Sequence, residues 1–362
     1  QSIDYETLFL LFGMMVIVAF LRISGAFVRL AHWSLDRIRS PRALLAVVIL
    51  LAGILSAFLV NDIVCIALTP LVLHLTRRLG FDPIPHLIAL ATAANIGSTG
   101  TITGNPQNMI IGVQSRIPYL HFALHLMPVA LIGLALDFAV IAVIYRRALA
   151  TTVAAGNGFK PRDRIPHGPS YRRLLIKSSL VAVVTIVLFF CGLPIALVAI
   201  GAAAVLMLSR LRPIRIYREI DWTLLLMFIG LFIVVHAFQL HVVSHWDIQR
   251  WTVLLQHPVG LLSGVSAALS NLVSNVPAVL LFEPVMRAMP APSQTTAWLA
   301  LAMSSTFAGN LTILGSVANL IVVENARREG VIVSFWEYCK VGIPITLLTL
   351  ILGVAWLKYV PY

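Results

Sequence analysis

The sequence predicts an all-α polytopic membrane protein built from two inverted repeats, each holding a re-entrant helical hairpin and a broken transmembrane helix. Three observations lead there. Of the 362 residues, 59% are hydrophobic and only 11% charged, with a mean hydropathy of +0.94; soluble domains carry about a quarter charged residues. Apolar runs recur from end to end, as in Leu8–Leu21, Leu120–Tyr145, Leu175–Phe190, Leu193–Leu208 and Leu224–Phe238. About 20 helical residues cross the hydrocarbon, so each run is long enough or nearly so. The pattern of the first 146 residues then returns after residue 211.

Residue 1 is Gln rather than Met, as expected of a processed or truncated product. The first repeat, 1–146, opens with a span that ends in the basic segment 29–42. Hairpin 41–78 follows, its arms meeting at Asn61-Asp62; both of its ends are basic, so the chain enters and returns on one side. Next comes a broken helix over 86–113, whose middle reads N-I-G-S-T-G-T-I-T-G-N-P-Q-N from Asn95 to Asn108, and then a span over 119–145. A Gly/Pro/Arg-rich linker, 147–171, leads to two scaffold spans over 172–210 that turn at Cys191-Gly192-Leu193-Pro194. The second repeat, 211–362, contains span 221–242, hairpin 257–290, broken helix 297–325 and span 335–358.

The repetition is carried by residues in register. Leu55-Ser56, Asn61 and Pro70 match Leu269-Ser270, Asn275 and Pro284 at a constant offset of 214. Thr101-Ile102, Gly104 and Asn108 match Thr312-Ile313, Gly315 and Asn319 at 211, and Tyr119, Phe122 and Pro128 match Phe335, Tyr338 and Pro344 at 216. With each hairpin re-entrant, a block crosses the membrane three times and the spans between the blocks cross twice. The second block therefore starts on the opposite side from the first, which makes the repeats inverted. The first block has no counterpart of the 172–210 spans, so one or more helices are expected before residue 1.

The net charge of +12 invites a nucleic-acid reading, but its distribution excludes it. Twenty of the 26 Lys and Arg fall in segments 29–42, 77–78, 146–177, 210–218 and 327–328, all on one side of the expected topology. The other side holds Arg116, Arg250, Arg287 and Lys358, while Arg22 and Lys340 fall within spans. That bias sets orientation by the positive-inside rule, with loops 29–42, 146–177 and 210–218 cytoplasmic. Contact with anionic lipid is a secondary reading. Cys65, Cys191 and Cys339 give neither a disulfide framework nor zinc spacing.

Four polar breaks carry the chemistry: the hairpin tips Asn61-Asp62 and Ser274-Asn275, and the broken helices at Gly97–Asn108 and Ala308–Asn319. Helix broken at membrane depth is tolerated only where it is buried in protein or lines a cavity. Opposed half-helix ends hold polar solutes in secondary transporters. Hydroxyls and amides supply oxygen ligands to a cation and N–H or O–H donors to an anion. Asp62 is the only carboxylate in any break, and its repeat partner is Val276. An ionisable group there reads as a proton- or cation-coupling residue, against the alternative that it caps the returning helix at Ile63. Asp137 and Lys340 sit within spans and are candidates to pair or relay protons; His236 reads as a packed span residue. Asp4 and Asp221 read as helix-start residues, and Glu283 and Glu324 as interfacial. Neither G-x-S-x-G nor H-E-x-x-H occurs to support an intramembrane enzyme.

Val60-Asn61-Asp62, Thr101 to Asn108, Ser274-Asn275-Val276-Pro277 and Gly315 to Asn319 resemble the ion transporter superfamily. That group includes arsenite permeases of the ArsB type, NhaD-type sodium–proton antiporters and the divalent anion–sodium symporters. The likeness is greatest to bacterial anion permeases grouped with the arsenite permeases, and covers nearly the whole chain outside linker 147–171. It implies a homodimer in the bacterial cytoplasmic membrane and an elevator-like movement of the transport domain against a scaffold. It implies a binding set of Asn61, Asp62, Ser98, Thr99, Thr101, Gly104, Asn105 and Asn108, facing Ser274, Asn275, Asn310, Thr312, Gly315, Ser316 and Asn319. A coupling Na⁺ would sit at Asn61, Asp62 and Asn105, or at Asn275 and Ser316, with no other cofactor and no catalytic residue. The dicarboxylate symporters carry Ser-Asn-Thr at both tips, whereas these tips read Val-Asn-Asp and Ser-Asn-Val, which favours the permease and antiporter branches. The expected function is secondary active transport of a small inorganic or organic anion, or an arsenite-like oxyacid, by alternating access coupled to H⁺ or Na⁺. The alternative is a Na⁺/H⁺ antiporter in which Asp62 exchanges the two cations.

Overall fold

The computed structural model describes residues 3–27, 29, 38, 40–150, 169–209, 213–241, 257 and 259–360. Much of basic segment 29–42, most of linker 147–171, Arg210, Arg212 and Arg250 lie outside the described residues. Helix α1 (Tyr5–Ile23) is capped by Asp4, whose carboxylate accepts from the Thr7 backbone N–H at 3.1 Å. Helices α2 (Pro41–Phe58) and α3 (Asn61–Leu79) are joined by two residues, Leu59-Val60, and α3 ends on left-handed Gly80. Ser40 and Asp82 cap α2 and α4 (Pro83–Ser98), each with a proline in the first turn, where its missing N–H costs nothing. A single 3-10 turn, Ile102–Gly104, separates α4 from α5 (Pro106–Ser115), and α6 (Tyr119–Ile144) follows.

Helices α7 (Pro169–Phe190), α8 (Ile195–Met207), α9 (Pro213–Tyr217) and α10 (Trp222–His241) lead into the second half. There α11 (Gly260–Val273) and α12 (Asn275–Arg287) meet at Ser274. Helix α13 (Ala291–Ala308) is separated by the 3-10 turn Ile313–Gly315 from α14 (Val317–Arg328), and α15 (Phe335–Tyr359) closes the chain. Several boundaries differ from the sequence reading: α7 begins at Pro169 rather than 172, and α14 ends at Arg328 rather than 325. α4 begins at Pro83 rather than 86, and α13 at Ala291 rather than 297. Hydropathy starts late on α13 because Ser293-Gln294-Thr295-Thr296 is polar. It is helical nonetheless: the N–H groups of Ser293 and Gln294 both donate to the Pro290 carbonyl, at 3.0 and 3.1 Å.

Among the described residues, six helices are long and apolar enough to cross a bilayer, with α8 and α11 apolar but shorter. Leu124, Leu131, Leu180, Leu197, Leu226 and Ile351 stand exposed on the outer faces. So much exposed aliphatic surface requires lipid. The protein is a polytopic helical membrane protein.

The broken helices lie innermost. Every residue of α4 from Pro85 to Ser98 is buried, as is every residue of α13 from Ala297 to Ala308. α2 runs along α4 while α11 runs along α13; α6 packs on α15; α3 packs on α14 while α12 packs on α5. α1 packs mainly on α7 and α8, and α10 borders α12 and α1. α2 and α4 cross with no room for a side chain, because a Cβ on Gly97 would land on the Gly53 backbone. Overpacking costs about 1–3 kcal/mol where neighbours can yield, and here the neighbour is main chain. Gly97→Val is therefore expected to abolish the monodisperse peak in size-exclusion chromatography. Gly201→Val, whose Cβ would meet nothing within 4 Å, is expected to leave it intact. Equal profiles for the two variants would sink this assignment.

Candidate functional site

The two helix breaks share one backbone solution. Thr101 and Thr312 leave the helix extended, at φ/ψ of −143/165 and −138/166 degrees. After the 3-10 turn, Asn105 and Ser316 are extended again, at −153/163 and −146/143 degrees, and each caps the next helix. Asn105 Oδ1 accepts from the Asn108 N–H at 2.8 Å, and Ser316 Oγ from the Ala318 N–H at 3.3 Å. One asparagine stitches each break. Asn108 Nδ2 donates to the carbonyls of Ser98 (3.1 Å) and Thr101 (3.0 Å), and Asn319 Nδ2 to those of Gly309 (2.7 Å) and Thr312 (3.0 Å). Carbonyls freed by unwinding α4 and α13 thus regain donors, which the low-dielectric interior demands.

Two residues then tie one break to the other. Asn95 Nδ2 donates to Oδ1 of Asn310 (2.8 Å) and Asn319 (2.9 Å), while its Oδ1 accepts from Asn61 Nδ2 (3.1 Å) and Ser316 Oγ (3.0 Å). Thr306 occupies the corresponding place in the other half: its hydroxyl accepts from Asn105 Nδ2 (3.2 Å) and Gln107 Nε2 (3.3 Å), and donates to Asn108 Oδ1 at 3.5 Å. The sequence reading did not rank Asn95 or Thr306 as binding residues. The signal was present, since both obey the 211 offset that relates the breaks, but an Asn–Thr pair is not an identity and goes unseen in a search for identities.

A cavity of about 140 Å³ lies where these elements converge. Its lining includes Asn61 and Asp62, Ser274 to Pro277, Pro106 and Gln107, and Ser316 and Val317, covered by Leu224, Met227, Phe228 and Leu231 of α10. The N-termini of α3, α5, α12 and α14 all open onto it. Each turns the positive end of its helix dipole, about half a charge, toward it, and at α5 and α14 Asn105 and Ser316 already satisfy one N–H apiece. Of the expected binding residues, Asn61, Asp62, Ser274, Asn275 and Ser316 line this space. Ser98, Thr99, Thr101, Gly104, Asn105, Asn108, Asn310, Thr312, Gly315 and Asn319 stand behind it. Thr99 and Ser98 bond back to the Asn95 carbonyl at 3.2 and 2.8 Å, and the Thr101 hydroxyl donates to the Ala57 carbonyl across to α2. Gly104 has its Cβ position filled by the Ser98 backbone.

Asp62 is 7% exposed and makes no helix-capping bond, since the α3 N-cap is Val60 with no side-chain bond to the helix end. Asn61 Oδ1 and Asn275 Oδ1 are buried acceptors without a protein donor. The two tips differ in strain. Ser274 sits at φ +79 degrees, whereas Val60 at the other tip sits at −44 degrees. A non-glycine residue there costs of order 1–3 kcal/mol. Ser274→Gly is expected to raise stability by about 1 kcal/mol, net of the freedom glycine adds to the unfolded chain. Thermal unfolding in detergent checks this, and an unchanged or lower melting temperature would count against it.

Other charged residues settle elsewhere. Lys340 does not reach Asp137 but pairs with Glu337 at 2.6 Å, three residues back on its own helix. Arg22 pairs with Glu219 at 2.8 Å and Arg77 with Glu329 at 3.1 Å. Asp221 accepts from the Leu224 N–H at 2.9 Å, capping α10 as expected. Glu324 pairs with Arg327 and Arg328. A larger cavity, about 560 Å³, lies farther along α5, α10 and α12, lined by Asp4, Gln114, His236, Glu283 and Arg287 among others. It contains no break and no hairpin tip, so the smaller cavity is the candidate site.

Residues 1–308 match the citrate transporter family, CitMHS. An uncharacterized transporter of Mycobacterium tuberculosis is 32% identical over 99% of this chain and 87% of its own length. A 46 kDa membrane protein of Mycobacterium leprae is 32% identical with the same coverage. The silicon efflux transporter LSI3 of Oryza sativa subsp. japonica is 32% identical over 98% of this chain and 86% of its own.

Proposed function

The chain belongs to the citrate transporter family, and from that premise we propose that it is a secondary active transporter for a small anion or arsenite-like oxyacid, working by alternating access with H⁺ or Na⁺ coupled at Asp62. One observation carries this reading: four helix N-termini and both hairpin tips meet at a single cavity whose lining holds one carboxylate. Unpaired N–H groups at helix starts favour anionic or hydrogen-bond-accepting solutes. The volume, about 140 Å³, is several times the roughly 10–15 Å³ that one water needs. It suits a solute of a few heavy atoms.

In this reading the two halves are inverted repeats, 1–146 and 211–362, separated by linker 147–171 and scaffold spans 172–210. The matching torsions at the two breaks and the reciprocal packing of α3 on α14 and α12 on α5 support that division. The tips and broken helices form the moving body of an elevator and α1, α7 and α8 the scaffold, in a homodimer. Charge asymmetry supports placing segments 29–42, 146–177 and 210–218 on the cytoplasmic side of a bacterial inner membrane.

A sodium–proton antiporter is the second reading. The unpaired Oδ1 atoms of Asn61 and Asn275, with the Asp62 carboxylate, are the hard oxygen ligands that favour it. Asn105 is a weaker ligand candidate, because its Oδ1 is already committed to capping α5. Proteoliposomes distinguish the readings. Uptake of citrate, silicic acid, sulfate and arsenite is measured under imposed proton and sodium gradients, alongside sodium flux without any anion. Anion uptake that follows a cation gradient supports the first reading. Sodium–proton exchange indifferent to every anion overturns it in favour of the second.

A further inference from the structure

Asp137, two turns from the C-terminal end of α6, is fully buried. Its Oδ2 lies 3.1 Å from Thr92 Oγ1, and its Oδ1 has no hydrogen-bond partner. Thr92 Oγ1 also lies 2.9 Å from the Ile88 carbonyl of its own helix. A hydroxyl carries one proton, so it serves one of these acceptors at a time. With that proton on the Ile88 carbonyl, Thr92 Oγ1 pairs with Asp137 only if the acid itself carries a proton to donate. Among the described residues Asp137 forms no ion pair.

The titratable neighbours are few. On α15, Tyr338 is fully buried with an unpaired hydroxyl, and Cys339 and Cys65 of α3 stand around it. Glu337 and Lys340 neutralise each other near the start of the same helix, and Lys358 and Tyr359 stand at its other end. α13 carries no charged residue. Arg42 on α2 and His86 on α4 sit in first turns, and Tyr171, Arg172, Arg173 and Lys177 lie in the first nine residues of α7. On α6 itself, Tyr119, His121 and His125 are three or more turns away from Asp137, and Tyr145 at the helix C-cap, about two turns on, donates to Glu337 at 2.7 Å.

From Thr92 a chain of contacts leads to the cavity. The Thr92 carbonyl accepts from Asn310 Nδ2 at 3.3 Å, Asn310 Oδ1 accepts from Asn95 Nδ2 at 2.8 Å, and Asn95 Oδ1 accepts from Asn61 Nδ2 at 3.1 Å. Asn61 borders Asp62 in the lining. We propose that Asp137 is a proton-binding site separate from the cavity, a positioning residue whose occupancy acts through Thr92, Asn310 and Asn95 on the solute site. Binding adds H⁺ to Oδ2, and the new O–H donates to Thr92 Oγ1 while the Thr92 hydroxyl donates to Ile88. Release returns the proton to water and turns the Thr92 hydroxyl onto Oδ2. No proton travels through the amides; they transmit the shift of Thr92. The inference rests on the transport reading above, and its first readout does not.

Infrared spectra of the protein in lipid, taken across a pH series, test the proton. A protonated-carboxyl stretch is expected in wild type and in D62N, lost in D137N, and shifted in T92V, which keeps the shape but removes the hydroxyl. Counterflow of whichever of citrate, silicic acid, sulfate or arsenite the wild type exchanges tests the link. D137N is expected to keep exchange with a pH profile shifted from that of wild type, the part that remains being set by Asp62. An unchanged carboxyl spectrum, or an unchanged pH profile, in D137N overturns the proposal. Absence of exchange for every probe in wild type would instead strike the transport reading, leaving the spectrum to decide the proton site.

Discussion

Asp62→Asn is expected to keep solute exchange and lose gradient-driven accumulation. The substitution keeps the volume and hydrogen-bonding reach of a residue that is buried at a hairpin tip but removes the only carboxylate among the described residues that line the cavity. Exchange between equal pools needs the site alone, whereas accumulation needs a group that binds the driving cation on one side and releases it on the other. Counterflow should stay within about tenfold of wild type, the scale of a 1.4 kcal/mol change, while uptake driven by an imposed gradient falls to the level of empty liposomes. Retained gradient dependence would remove Asp62 from the coupling role. Loss of both activities alongside a normal elution profile would instead make it a solute ligand.

Asn95→Ala is expected to be the most damaging single change at the site. It removes four hydrogen bonds, at 2.8 to 3.1 Å, whose partners Asn61, Asn310, Ser316 and Asn319 are all buried. An orphaned buried polar group costs about 1–3 kcal/mol, so even the low end, about 4 kcal/mol in all, is a large share of ordinary stability. Counterflow should fall more than about 100-fold, with a lower melting temperature. Thr306→Val, at the corresponding place in the other half, should cost less, because its contacts are longer at 3.2 to 3.5 Å. Reversal of that order would contradict the view that Asn95 holds the two breaks together.

Much of the architecture was legible because hydrocarbon leaves so few choices. Although the sequence reading passes over the start signal Asp82-Pro83 and begins α4 three residues late, Gly104, Asn105 and Pro106 in an apolar run had to mark a break. Asp62 was legible as unusual for the same reason. What the residues behind the cavity do was not legible. Ser98, Thr101 and Asn108 look from the sequence like ligands; in the structure the Asn108 amide restores hydrogen bonds to backbone that unwinding has bared, while the Ser98 and Thr101 hydroxyls donate to the Asn95 and Ala57 carbonyls. Composition cannot separate those roles, since the same hydroxyls and amides serve both. Position decides, and position depends on α10 covering one face of the cavity, which no periodicity announces. Lys340 was misread for a related reason: its depth came from hydropathy alone, while Glu337, one turn away, was the nearer partner.

Val276 stands where Asp62 stands in the other half, so among the described residues the cavity lining carries one ionisable group, and the electrical cost of moving the site is set by whether that group is filled. On the proposed cycle, a site that crosses with a proton on Asp62 and an uncharged solute does no work against the membrane voltage. An empty site with a bare carboxylate moves one negative charge. One elementary charge across 100 mV is worth about 2.3 kcal/mol, a bias of about 50-fold. An inside-negative potential would therefore hold the empty carrier facing outward, and Val276→Asp would double that pull.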